Sequence, residues 1–299
     1  MSSNSSRGLR DEFDARTVAG QETDRLERLC EIGTDAIHSA SIEEGVERIL
    51  ARFQRSGFEP HRHDTYAIGL TVSGVQTFRY RGAERFSMPG QVIVLHPDEV
   101  HDGAAGSDAG LFYRMIYVPP ELIAEATGWP GGGLPFLPEP VVDDPELRQA
   151  LVEAVQDLDL EMGSLKLDSC VAALAAGLQR HADDRHTTRK ALDWKSMKAC
   201  RDYLRDNFSQ DVLSADLEAV TDLDRFQLAR QFRKAFGTSP HRYQVLRRLE
   251  AVKDSIRKGQ GLADAAADAG FADQSHMSRH FKQAYGMAPG HWRALCSVG

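Results

Sequence analysis

The spacing of hydrophobic residues changes along the chain, and each change predicts a different kind of element. Over residues 21–54 they recur at loose helical intervals, which predicts a helical lead-in. From 57 to 118, short runs rich in valine, isoleucine and tyrosine alternate with glycine- and proline-bearing turns. This pattern is typical of an antiparallel sandwich or small barrel. Residues 1–20 are polar and are predicted to be a disordered tail.

The second half of the chain is predicted to be helical. Residues 128–140 are rich in glycine and proline and are predicted to form a loop. Two stripes of leucine and valine at helical spacing lie within 141–182 and predict a helical hairpin turning at Gly163. The polar stretch 183–193 is predicted to be a linker, and residues 194–299 have a helical pattern to the end.

Composition restricts the class of protein. The chain has 299 residues, of which 41% are hydrophobic and 27% charged, as expected for two globular domains and unlike fibrous or disordered chains. Its longest apolar runs are too short for a membrane helix, and its polar start lacks the apolar core of a secretion signal. We therefore expect a cytoplasmic protein with no membrane partner. The cysteines are widely spaced without a CxxC pair, which excludes a thiolate zinc finger.

Charge is unevenly distributed. Residues 194–299 carry 17 lysines and arginines against 12 aspartates and glutamates, whereas residues 1–193 carry 19 against 32. A basic segment on an acidic chain (net charge −8) predicts contact with a polyanion.

The last third contains an internal repeat. FRKAFGTSPHRY at 232–243 aligns with FKQAYGMAPGHW at 281–292. In each copy the aromatic pair at i and i+4 packs inward, the glycine suits a left-handed helix end and the proline starts the next helix. A helix over 240–257 joins the copies and spans roughly 27 Å, close to the roughly 34 Å between successive major grooves of DNA.

The residues just before the later copy of the repeat have the spacing of a helix-turn-helix. Ala266 lies four residues before Gly270, a spacing that lets two short helices approach and turn sharply. The following helix, about 273–285, then presents Gln274, Ser275 and Arg279 on one side.

These motifs resemble the DNA-binding domain of the AraC family of bacterial transcription regulators. The run GFADQSHMSRHFKQAYGMAPGHWR is similar to that family's second helix-turn-helix signature. In the first unit Glu218 and Asp222 stand where the family usually has a small residue and the turn glycine. A glutamate at a close-approach position predicts a distorted or more weakly binding first unit.

The resemblance also implies roles for individual side chains. It implies base-edge contacts by Phe226, Gln227 and Arg230 in the first unit and by Gln274, Ser275 and Arg279 in the second. Arginine pairs bidentately with guanine and glutamine with adenine. We interpret Arg225, Lys234 and Lys282 as phosphate contacts, which position the protein without reading sequence.

The N-terminal domain resembles a cupin barrel in its His61-Arg-His63 and later His101. AraC-type regulators often join such an effector-binding barrel to a dimerising hairpin. The resemblance thus implies a multi-domain α+β protein with a cupin-like barrel and helical lead-in over 21–140, a dimerisation hairpin over 141–182 and a double helix-turn-helix domain over 194–299.

The same histidines leave a rival function open. In metal-binding cupins, an HxH pair, a glutamate and a later histidine hold a metal ion. His61, His63 and His101 match three of those positions, but the glutamate position holds Ala67 or Ile68. We expect no cofactor and no enzymatic activity. The alternatives are a divalent metal on the three histidines, as in a metal-dependent cupin enzyme, or histidines that line an effector pocket or form barrel hydrogen bonds.

Strand alternation predicts an effector cavity. If His61 and His63 point inward, so do the small residues Thr65 and Ala67, and an inward row of small residues leaves space. We therefore expect a small-molecule effector in the barrel. The residues expected to bind it are His61, His63, Thr65, Ala67, Arg79, His101 and Arg114, with the arginines as anchors for an acidic group.

The combined expectation is a sequence-specific transcription regulator controlled by a small effector. It would bind promoter DNA as a homodimer and activate transcription by recruiting RNA polymerase. A barrel that serves only as a dimerisation scaffold is the remaining alternative.

Overall fold

The N-terminal half forms two antiparallel sheets, which confirms the predicted sandwich or barrel. A computed structural model describes residues 35–54, 57–128, 134–183 and 192–296. The first sheet contains, in spatial order, β1 (Ala36–Ser39), β2 (Glu47–Phe53), β9 (Leu111–Val118), β4 (Tyr66–Gly74), β7 (Val92–Leu95) and β10 (Val141–Val142). The second contains β3 (Gly57–His61), β8 (His101–Ala105), β5 (Gln76–Tyr80) and β6 (Ala83–Ser87).

The predicted helical lead-in is wrong over residues 36–53, which contain β1 and β2 and the turn that joins them. β2 pairs along its whole length with β9, from Glu47 opposite Tyr117 to Phe53 opposite Leu111. Its apolar residues fit a strand as well as a helix, because a short run satisfies both periods. Pairing with a strand distant in sequence decides between them. The tail 1–20, the rest of the lead-in and residues 184–191 of the linker lie outside the described residues.

Helices cover the outer face of the six-stranded sheet. These are α1 (Pro120–Thr127), which the sequence did not predict, and the two helices of the predicted hairpin, α2 (Pro145–Ala154) and α3 (Ser164–His181). Leu147 and Leu174 pack with Ile68 in one buried cluster, so the even-numbered residues of β4 face these helices. Ala67 belongs to the barrel interior, which confirms the predicted alternation.

Seven helices form the C-terminal part of the described chain. They are α4 (Trp194–Asp206), α5 (Ser214–Thr221), α6 (Arg225–Phe236), α7 (Pro240–Arg257), α8 (Leu262–Asp268), α9 (Gln274–Tyr285) and α10 (Pro289–Cys296). α5–α6 and α8–α9 are the two helix-turn-helix units, and α7 joins them over the predicted range. None of the described helices is both long and apolar enough to cross a membrane.

The two units differ in what their cores contact. Phe232 and Phe236 of the first unit pack with Tyr243 in a separate cluster. Phe281 and Trp292 of the second unit belong to the same buried cluster as the barrel residue Ile49. The second unit therefore shares a buried core with the barrel and packs against the edge strands β1 and β3.

The repeat's glycines do what the sequence predicts. Gly237 and Gly286 end α6 and α9 with φ of 72° and 68°. Gly270 has φ of 80°, and a Cβ there would lie 2.1 Å from the Ser209 carbonyl oxygen, so only glycine fits this close approach.

Candidate functional site

The two repeat helices α6 and α9 present similar exposed faces. Asp224 caps α6 by accepting hydrogen bonds from the Phe226 and Gln227 amides, and Asp273 caps α9 by accepting one from the His276 amide. The side chains expected to contact bases are all exposed: Phe226, Gln227, Arg230, Gln274, Ser275 and Arg279. Phe226 is 69% exposed, far more than a core aromatic residue. Both faces are therefore free to contact a ligand.

The first unit is not distorted by its two unusual residues. Asp222 ends α5 in the left-handed conformation, with φ of 56°, which aspartate tolerates better than most residues. The Glu218 carboxylate accepts the Arg225 amide at 2.8 Å, so it caps α6 and does not crowd a neighbouring helix. The expected distortion is therefore wrong.

The residues interpreted as phosphate contacts are partly engaged within the protein. Lys282 Nζ lies 2.8 Å from a Glu59 oxygen, and Arg225 Nε lies 3.3 Å from Glu218 Oε1. Lys234 is half-buried. Lys282 would have to leave Glu59 to reach a phosphate.

We call the contact between the barrel and the helical domain the seam. Its residues belong to one compact unit that begins at Asp35. Acidic residues of the barrel meet basic residues of the helical domain there. The ion pairs are Glu47 with Lys253 and Arg257, Glu59 with Lys282, Asp64 with Arg247, and Asp98 with Arg233 and Arg242.

Some basic residues of the C-terminal domain are thus paired with acidic residues of the same chain. Lys253 is 3% exposed, and its Nζ lies 2.6 Å from both carboxylate oxygens of Glu47. Burial disfavours the charged form of Glu47, but Lys253 and Arg257 outweigh it and hold the pKa of that carboxyl below its usual range. Part of the basic charge expected to meet a polyanion therefore contacts the barrel.

A small cavity lies in the seam. Its volume is about 70 Å³, and both domains line it. His61, His63 and Thr65 line it from the barrel, and Leu246, Tyr285 and Trp292 line it from the helical domain. Pockets for drug-sized ligands are about 300–1,000 Å³, so the closed seam has room only for a much smaller species.

Three histidines converge beside this cavity. β3 and β8 place His61 directly opposite His101, and the ring centroids of the two are 4.3 Å apart. The His63 ring lies 4.9 Å from that of His101. One ring nitrogen from each of the three residues lies within 4.8 Å of the others, a grouping that could hold a metal ion.

Burial keeps these three rings neutral. It lowers the pKa of His61 to about 3, with help from His101, and that of His101 to about 4. Burial also holds the pKa of His63 well below its usual value. His96, also buried, shows the contrasting case of a core histidine. Its Nδ1 bonds to the Tyr80 hydroxyl and its Nε2 accepts from the Leu137 amide, so both nitrogens are occupied.

The other residues expected to bind the effector lie in different places. Thr65 lines the cavity, but Ala67 is packed in the barrel core. The Met115 side chain fills the space beside Gly69, one of the small residues of this strand. Arg114 alternates with inward-facing neighbours and lies on an outer face of its sheet. Arg79 is exposed and lines a second cavity together with His101. That the two arginines anchor an acidic effector stays a prediction.

Sequence reasoning missed the buried charges of the seam. Glu250 lines the cavity, and Arg247 Nη2 bridges its carboxylate to that of Asp64 at 2.9 Å from each. Burial outweighs Arg247 and raises the pKa of Glu250 to about 7. No local motif signals the link to the barrel, because Asp64 lies 183 positions from Arg247 in the sequence.

Two family models match this chain. One, described as an AraC-like ligand binding domain, matches residues 44–183, and the other, described as a helix-turn-helix domain, matches residues 217–295. The chain belongs to the AraC family of transcription regulators. It combines a ligand-binding N-terminal domain with a helix-turn-helix DNA-binding domain, which confirms the family and the regulatory function expected from the sequence.

Curated relatives of this AraC-family regulator are named as transcription regulators. An uncharacterized HTH-type transcriptional regulator of Bacillus subtilis, YbfI, is 29% identical over 74% of this chain and 81% of its own length. The arabinose operon regulatory protein of Escherichia coli is 23% identical over 77% and 81%. The transcriptional activator RhaS of Yersinia pestis is 24% identical over 81% and 91%.

Solved structures share the fold over most of the regulator. ToxT from Vibrio cholerae has a TM-score of 0.62 at 14% identity and covers 89% of this chain and 98% of its own. A ToxT structure with a bound unsaturated fatty acid has a TM-score of 0.60 at 13% identity, with 89% and 96% covered.

Proposed function

We propose that this AraC-family regulator binds promoter DNA through α6 and α9 under the control of an effector that acts at the seam. The main support is a contact between the barrel and the second recognition helix. The barrel segment that lines the cavity also holds the end of the second recognition helix, because the Glu59 amide donates to the Gly286 carbonyl oxygen at 2.9 Å. A ligand that moves this segment changes how the helix is held.

The arrangement in which the seam is closed, called docked here, disfavours binding to DNA. The Glu59 carboxylate forms an ion pair with Lys282. In this arrangement the Glu59 carboxylate would lie beside the DNA phosphates that Lys282 is expected to contact. Release of the seam frees Lys282 and moves that negative charge away. The effector then acts by shifting the populations of docked and released arrangements.

A fatty acid like that in the ToxT structure suits this seam poorly. The cavity is about 70 Å³, far below the volume that a long acyl chain needs. The seam instead suits a much smaller species.

The hairpin is proposed to pair two copies of the chain. Leu165 on α3 is 80% exposed, and Ala172, Ala173 and Ala176 are exposed on the same helix. A Leu165→Lys change should shift a dimer toward monomer in sedimentation experiments, whereas Lys166→Ala on the same turn should not.

Recruitment of RNA polymerase, activation and a cytoplasmic location are further parts of the proposal. RhaS is named an activator, and the relatives above are named as transcription regulators, which favours regulation over the alternative of a metal-dependent enzyme.

The experiment is selection of DNA from a random pool by the full chain, followed by thermal-shift screening of small metabolites. We expect selected duplexes with two enriched blocks about one helical turn apart and a ligand that raises the melting temperature. Failure to enrich any duplex would contradict the DNA-binding role. Enrichment without a stabilising ligand would leave the barrel as a scaffold.

A further inference from the structure

The three converging histidines share a hydrogen-bonding arrangement that points to a ligand. His61 Nδ1 lies 2.8 Å from the Glu59 carbonyl oxygen, His63 Nδ1 lies 2.9 Å from that of Thr65, and His101 Nδ1 lies 2.9 Å from that of Glu99. A nitrogen beside a carbonyl oxygen must carry the proton. In each neutral ring this assigns the proton to Nδ1 and leaves the lone pair on Nε2.

Proteins use the same arrangement to prepare histidine for a metal. A hydrogen bond from the other ring nitrogen to a carbonyl fixes the tautomer, orients the ring and makes the ligating nitrogen more basic. Here all three rings are fixed in this way, and all three are buried. His96 shows that the arrangement is not general for buried histidines of this barrel, since its Nε2 accepts a backbone hydrogen bond.

We propose that His61, His63 and His101 bind one divalent transition-metal ion of the Zn²⁺ class, and that this ion is an effector of the regulator. An all-imidazole set favours Zn²⁺ or a similar ion over Mg²⁺ or Ca²⁺, which prefer oxygen ligands. Zn–N distances are about 2.0–2.1 Å, which in a tetrahedral site places the nitrogens about 3.4 Å apart. The three rings, whose nitrogens lie within 4.8 Å of one another, must draw together to bind the ion. His61 and His63 also line the seam cavity, so a fourth ligand could reach the ion from there.

The metal site is joined to the second recognition helix by the backbone. His61 ends β3, and the amides of Glu59 and Arg62 on either side donate to the carbonyl oxygens of Gly286 and Gln283. A Cβ on Gly286 would lie 2.8 Å from His61 Nδ1, so the end of α9 lies directly against the ligand residue. An ion that fixes His61 therefore also fixes the segment that holds α9.

The direction of the effect follows from this docking. Metal stabilises the arrangement in which Glu59 is held beside Lys282, and so weakens binding to DNA. This step rests on the proposed function, whereas binding of the ion does not.

The first test measures metal uptake by the tag-free full chain after treatment with EDTA. We expect one Zn²⁺ or Co²⁺ per chain by equilibrium dialysis, and visible absorption of four-coordinate Co²⁺. His63→Ala and His101→Ala should lose both signals, while His38→Ala, at a surface histidine outside the cluster, should keep them. Absence of uptake by the wild-type chain overturns the proposal without requiring any variant to fold. Uptake that the two cluster variants retain also overturns it.

The second test measures fluorescence anisotropy on a selected duplex with and without Zn²⁺. We expect at least about fivefold weaker binding of the metal-loaded wild type, no change with Mg²⁺ and no change in His63→Ala. Bound metal with unchanged DNA affinity overturns the effector role. A chain that takes up metal but binds no duplex in either state contradicts the proposed function and leaves the metal site standing.

Discussion

At the scale of single residues, exposure separates the side chains proposed to contact bases from those that hold the molecule together. Arg279 is exposed on α9 and points away from the Phe281 core, whereas Lys282, one turn further along the chain, is paired with Glu59. The two are expected to contribute differently. A base contact specifies one position, while a phosphate contact acts on every sequence alike.

Arg279→Ala should weaken binding to the selected duplex by about 1–3 kcal/mol and relax specificity at one base pair. Lys282→Ala should act equally on all sequences and lower the salt dependence of binding by about one phosphate contact. Anisotropy titrations on the selected duplex and on single-base variants, at several salt concentrations, distinguish the two. If neither change alters binding, the placement of α9 on DNA is wrong.

Glu250 should make stability depend on pH. Its pKa is raised to about 7 from 4.5, so the folded chain keeps a proton that the unfolded chain has released. The free energy of unfolding should therefore fall as pH rises from about 4.5 to 7 and stay level above it. The charged groups that act on this carboxyl are Arg247, Asp64, Lys253 and Glu47.

Glu250→Gln should remove this slope and stabilise the chain at pH 8 by about 1 kcal/mol, a modest value because the side chain is 30% exposed. Denaturant unfolding at pH 5 and pH 8 checks it. Equal pH dependence in the variant and the wild type would show that another group titrates.

At the scale of elements, helices whose ends are marked by glycine or proline could be predicted from the sequence. The repeat's glycines and prolines mark helix ends through their own backbone preferences, so α6, α7 and α9 were predictable. The strand β2 was not, because its partner β9 lies some 60 residues on and only pairing distinguishes its pattern from a helix. The seam pair of Glu47 and Lys253 joins residues separated by 206 positions, and no motif carries that information.

Gly286→Ala should loosen the seam. Alanine at φ of 68° costs about 1–2 kcal/mol, and its Cβ would also approach the Glu59 carbonyl oxygen to 2.7 Å. Gly259→Ala is the matched control, because Gly259 has φ of 84° but no atom within 4 Å of its Cβ position. Hydrogen exchange at the Glu59 amide should accelerate in Gly286→Ala only. Equal acceleration in both variants would show that backbone strain alone is responsible.

At the scale of the whole molecule, three buried clusters divide the protein differently from its two family domains. The hairpin shares a core with the outer face of the barrel, and the second helix-turn-helix unit shares one with the barrel interior. The first unit keeps a core of its own. The barrel therefore shares a buried hydrophobic core with the second unit only, and its acidic residues form ion pairs with both units.

Asp98→Asn should favour the released arrangement. Asp98 is paired with Arg233 at the end of α6 and with Arg242 at the start of α7, so loss of its charge weakens the hold on the first unit. We expect a larger radius of gyration by small-angle scattering and tighter binding to DNA. Asp143→Asn on the exposed start of the hairpin makes the same charge change away from the seam and should alter neither. An unchanged radius and affinity in Asp98→Asn would contradict control by the seam.

The central claim is that α6 and α9 each read one turn of the same duplex. Hydroxyl-radical footprinting of the full chain on the selected duplex tests it most directly. The account predicts two protected segments about one helical turn apart, with Arg230→Ala weakening one and Arg279→Ala weakening the other. A single protected segment, or loss of the same segment in both variants, would contradict it.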